Sequence, residues 1–98
     1  MVVIGVAVVE LHIPHAQSLK GKRRVIKGLI DRLHKRHRIS IAETDYQDLH
    51  QRSQITVAIV GTAEHETDDR LETFHRNIEE VPELTITRWN SELIVGLD

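Results

Sequence analysis

Seven histidines, nine lysines and arginines between Lys20 and Arg38, and the acidic residues Glu43, Asp45 and Asp48 are the side chains of this 98-residue chain best suited to chemistry. The histidines raise the question of metal first. His12 and His15 are three apart, as are His34 and His37, and His50 joins the first pair if the chain folds back on itself. With no cysteine and no H-E-x-x-H pattern, solvated histidines and no metal site are the expected reading. Glu43, Asp45 and Asp48 carry the oxygens that magnesium takes, yet aspartates in a turn are already explained by bonds to their own backbone. The chain has no G-x-S-x-G, no phosphate-binding P-loop, no glycine-rich dinucleotide loop and no thiol nucleophile. Neither catalysis nor a cofactor is expected.

What remains is cationic chemistry directed at phosphate. Residues 1–63 hold ten basic and five acidic side chains, whereas residues 64–98 hold three basic and ten acidic ones, so a net charge of -2 conceals two regions of opposite sign. A positive region of this kind attracts phosphate or acidic partners over long range. Lys20, Arg23, Arg24, Lys27 and Lys35 on the basic run, with Arg52 beyond it, are the residues expected to contact RNA or phosphate.

The basic run must be a helix to present those charges together. At 100° per residue Leu19, Ile26, Leu29, Ile30 and Leu33 form one apolar stripe, with Lys20, Arg24, Lys27, Asp31 and Lys35 opposite. Ser18 is placed to cap it. Lys22 falls within the apolar stripe, where an ammonium persists only by reaching out past the helix end or by pairing with a carboxylate.

The other elements follow from hydrophobic period and turn residues. Val2 to Ile13 is an apolar run, read as a central strand that Pro14 ends. In the segment RISIAETD the residues Ile39, Ile41 and Glu43 share the core side, and QITVAIV supplies a second strand with Ile55, Val57 and Ile59 inward, the two forming a hairpin. Thr62 is expected to cap a second helix buried through Leu71, Phe74, Ile78 and Val81 and stopped by Pro82. A last strand starts near Glu83 and continues through ELIV, with a bulge or turn expected at RWNSE. The core is aliphatic, since the chain has one Phe, one Tyr and one Trp.

Strand, helix, strand, strand, helix, strand with right-handed crossovers specifies a single α+β ferredoxin-like domain over residues 1–98: a four-stranded antiparallel sheet with both helices on one face. In that topology the start of the first helix meets the turn between the second and third strands. Lys22 and Glu43 are thereby expected to form a structural ion pair, with Lys20, Arg23 and Arg52 free around it.

Two segments, SLKGKRRVIKGL (Ser18 to Leu29) and ISIAETDYQDLHQR (Ile39 to Arg52), resemble the signature stretches of the YlxP-like family of small bacterial proteins of unknown function. VVELHIP (Val8 to Pro14) is similar to that family's first strand. By motif, Ser18, Leu19, Lys20, Lys22, Arg23, Glu43, Gln47, Asp48, Gln51 and Arg52 correspond to family positions, while His50 stands where members often have an aromatic residue. The resemblance implies a ferredoxin-like fold and a gene usually found beside translation and ribosome-maturation factors. It brings no catalytic mechanism.

The expectation is a non-enzymatic module that binds structured RNA or a ribosomal particle through the basic helix and the adjoining hairpin. The alternative is a protein-interaction or self-association module, a homo-oligomer joined through the apolar open face of the sheet, where Val6, Val8, Thr56 and Ala58 are expected. Trp89 is expected there as the one aromatic platform, too little for base stacking across the sheet. Absent cysteine and a first strand too short to cross a bilayer lead to a cytoplasmic location with no membrane partner.

Overall fold

The structure is a computed structural model that describes residues 1–98. Its elements are β1 (Val3–His12), α1 (Leu19–Arg36), β2 (Ser40–Asp45), β3 (Arg52–Gly61), α2 (Glu64–Glu79) and β4 (Thr85–Val95). One antiparallel sheet holds all four strands in the order β2-β3-β1-β4, and both helices lie on one side of it. This is the α+β ferredoxin-like arrangement.

Strict alternation makes the sheet two-sided. Along β1, Val3, Ala7, Val9 and Leu11 are buried beneath the helices, and β3 contributes Ser53, Ile55, Val57 and Ile59 to the same side. The complementary set, with Val6 paired to Ala58 and Val8 to Thr56, faces away from the helices. Ile26, Leu29 and Leu33 of α1 and Leu71, Phe74 and Ile78 of α2 close the core. Each such side chain stabilises the fold by about 1.5–3 kcal/mol relative to exposure.

Local signals set the helix limits. Ser18 accepts a hydrogen bond from the amide of Gly21 at 3.0 Å, and His34, Lys35 and Arg36 occupy the last turn, the sign that suits a C-terminus. The expected cap of α2 is corrected: Ala63, not Thr62, holds the N-cap position and provides no side-chain bond. Thr67 occupies the space beneath that turn instead. Its hydroxyl donates to the Ala63 carbonyl at 2.8 Å, and a Cβ on Gly61 would come within 2.0 Å of Thr67 Oγ1. Gly61 is therefore required by close approach.

A second correction concerns β4. The strand runs unbroken through RWNSE, and its irregularity sits one step earlier, at Thr87, because Leu11 pairs with Ile86 while Glu10 pairs with Arg88. The extra residue reverses the alternation. Trp89 consequently lies on the helix side opposite Val9, its ring 6.3 Å from Phe74 and 4.5 Å from His75. The expected platform on the open face does not exist there.

No helix is long and apolar enough to cross a membrane.

Candidate functional site

The start of α1, the β2–β3 turn and the end of β1 meet at one end of the sheet. Lys22, entirely buried, points between α1 and β2, and its Nζ lies 2.6 Å from Glu43 Oε2 and 2.8 Å from the carbonyl oxygen of Tyr46, to which it donates. Glu43 comes from the core face of β2 and its side chain keeps 18% exposure. Ser53 of β3, also buried, donates to the same Glu43 oxygen at 2.5 Å. Charge-assisted bonds of this length are the strong kind. A buried ammonium without them would be prohibitively desolvated.

Tyr46 takes part through its backbone. Its φ of 63° places it in the left-handed region, uncommon for a residue with a side chain, and Asp45 Oδ1 accepts from its amide at 2.7 Å. The turn aims the Tyr46 carbonyl at Lys22 on one side of the sheet and the phenol at the other. Gln51 completes the junction, donating to the carbonyls of Pro14 and Ala16 at 3.3 and 3.2 Å and holding the β1–α1 connection against the hairpin. Gln47, which donates to the Glu43 carbonyl at 3.5 Å, belongs to the same scaffold.

A second cluster occupies the open face of the sheet. Glu10 Oε1 accepts from the Tyr46 hydroxyl and from Arg52 Nη2, both at 3.0 Å, while Arg88 Nη1 stands 3.8 Å from Glu10 Oε2. The guanidinium of Arg52 lies over the Tyr46 ring, 4.1 Å from its centre. The hydrogen bond to Glu10, followed by burial, raises the phenol's pKa above its ordinary 10.0.

The six residues assigned to phosphate therefore divide. Lys20, Arg23, Arg24, Lys27 and Lys35 are exposed on α1, and none of them takes part in an ion pair. Arg52 is at the same end of the molecule but on the other side of the sheet, already paired with Glu10. It does not join the α1 cluster, because its even register position in β3 points away from the helices. Glu10 and Tyr46 were missed by the sequence reading. An acidic residue in an otherwise apolar strand was the available signal for Glu10.

The histidines are dispersed. His37 packs edge-on against Phe74, and its Nε2 lies 2.8 Å from Asn77 Nδ2. Burial, then the charges of Arg36 and Arg70, holds its pKa below 6.5. His75 Nδ1 is 2.8 Å from Glu79 Oε1 on α2. His12, His15, His34, His50 and His65 are exposed.

The arrangement offers an unpaired cationic helix face and, beneath its first turn, a rigid polar junction. Residues 4–91 match the family described as "Protein of unknown function (DUF503)". The chain is 38% identical over 87 residues to the protein named "Uncharacterized protein YlxP" of Bacillus subtilis (strain 168), an alignment covering 87% of this chain and 95% of that one. With the match spanning all the elements that build the junction, the chain belongs to this YlxP-like family of proteins of unknown function.

Proposed function

We propose that the protein is a non-enzymatic cytoplasmic module that binds structured RNA or a ribosomal particle through the outer face of α1. The observation that supports this reading is the set Lys20, Arg23, Arg24, Lys27 and Lys35, exposed on one helix and engaged in no ion pair, with Asp31 the single acidic residue among them. An 18-residue helix is about 27 Å long, enough to follow several phosphates along a backbone. The first turn of α1 contains no acidic residue, so the amides at its N-terminus add to the positive field. The Lys22–Glu43–Ser53 junction fixes that turn against the sheet and thereby orients the face.

Filter binding to ribosomal RNA across a salt gradient tests this. The expected result is affinity that falls steeply with salt and is lost when Lys20→Glu is combined with Arg24→Glu. Equal affinity in the double variant, or none at low salt in the native chain, removes the proposal.

A second reading, a protein-contact surface, is favoured by the open sheet face, where Ile4 is flanked by Val60 at 71% exposure and Ile94 at 38%. Because Val60 is exposed, Val60→Glu is expected to leave the fold intact and to abolish a contact made there, which pull-down against a defined partner would read.

A further inference from the structure

The sheet ends on two unlike edges. β2 is 6 residues long and its pairing shifts between Glu43 and Asp45, so its free side is short and irregular. β4 is 11 residues long and is bonded to β1 alone. Its outer row of amides and carbonyls extends for about 36 Å with no strand beside it. Folded proteins blunt such edges with proline, bulges, shortness or charged side chains, and the charges on this edge, Arg88 and Glu92, are of opposite sign, so they can pair across a joint as well as repel. From Arg88 to Val95 β4 has no proline and no register shift.

We propose that this edge joins two copies of the chain, β4 against β4 in antiparallel sense, into one continuous sheet with four strands from each copy. A two-fold axis normal to the sheet keeps all helices on one side and sets residues of the same face opposite one another. The charges select the register. An axis through Asn90 puts Arg88 of each copy directly opposite Glu92 of the other, twice, on the open face. An axis through Glu92 would set the two Glu92 carboxylates against each other. Within one chain Glu92 has no ion-pair partner, and Arg88 reaches Glu10 only at 3.8 Å, so both are available. On the helix side the Asn90 register sets Trp89 opposite Ser91 of the second copy. Both residues line a groove of about 350 Å³ between α2 and β4, which the second copy would cover. The pairing leaves α1 exposed and stands independently of the RNA reading.

Sedimentation equilibrium of the full chain, with Glu92→Arg and Arg88→Glu variants, tests it. The native chain is expected to dimerise, and each variant alone to associate at least tenfold more weakly, because two like charges then meet across the joint. An equimolar mixture of the two variants is expected to recover a heterodimer, since an edge carrying two arginines meets one carrying two glutamates. Recovery in the mixture also establishes that both variants are folded. A native chain that stays monomeric at millimolar concentration, a native dimer indifferent to both substitutions, or a mixture that fails to recover although both variants keep the native circular dichroism overturns the proposal.

Discussion

Lys22 Nζ and Glu43 Oε2 are 2.6 Å apart, the lysine buried completely and the glutamate open to solvent at its rim. The asymmetry makes the two residues unequal. Glu43→Ala leaves an ammonium in the core with one carbonyl and no carboxylate, and a cost of about 3–5 kcal/mol is expected. Lys22→Met fits the apolar surroundings and leaves a carboxylate that water can reach, so its cost is expected to be smaller. Urea denaturation of the two variants checks the order, and a larger loss for Lys22→Met would contradict it.

Gly61 and Thr67 form a coupled pair. Gly61→Ala drives a methyl group into the Thr67 side chain, with an expected cost of about 1–3 kcal/mol. Thr67→Ala removes the atoms it strikes, so the double variant is expected to be more stable than the sum of the single losses. A double-mutant cycle measures the coupling, and simple additivity would refute it.

His37 makes stability depend on pH on the acid side. Its pKa is lowered in the folded state, so as pH falls through 6.5 the unfolded chain takes up the proton first. The contribution is fully present above pH 6.5 and is lost as pH falls from there through the folded-state pKa. Denaturation midpoints compared between the native chain and His37→Gln should converge toward low pH. A constant difference across that range would exclude His37 as the cause.

Arg52, paired with Glu10 on the open side of the sheet, stands apart from the α1 face proposed to bind RNA. Arg52→Ala is expected to leave RNA affinity and its salt dependence unchanged, whereas each α1 cation that contacts a phosphate contributes about 0.9 to the salt slope of duplex binding. Filter binding with Arg52→Ala beside Lys27→Ala distinguishes them. An equal effect would place the RNA across the hairpin.

Most of the fold was legible because its signals are local and periodic. The stripe from Leu19 to Leu33 and the alternation in β1 and β3 each identify an element and its buried side. Element order then brought Lys22 to Glu43, residues 21 positions apart. Trp89 shows where that reading runs out. Alternation continued from Leu84 and Ile86 points residue 89 outward, and only the extra residue at Thr87 turns it back under α2. A bulge depends on how two strands align, which neither strand's own pattern records. The Arg52 stack was hidden for a related reason: it requires Tyr46 to adopt a left-handed backbone that its residue type does not advertise.

One carboxylate, Glu43, ties together α1, β2 and β3, and Tyr46 extends the same knot through its carbonyl to Lys22 and through its hydroxyl to Glu10 of β1. At this end of the molecule neither β1, β2 nor β3 can fray alone. Its amide protons should exchange with solvent at one common rate, released by a single opening event, while the far end around Gly96 to Asp98 loosens independently.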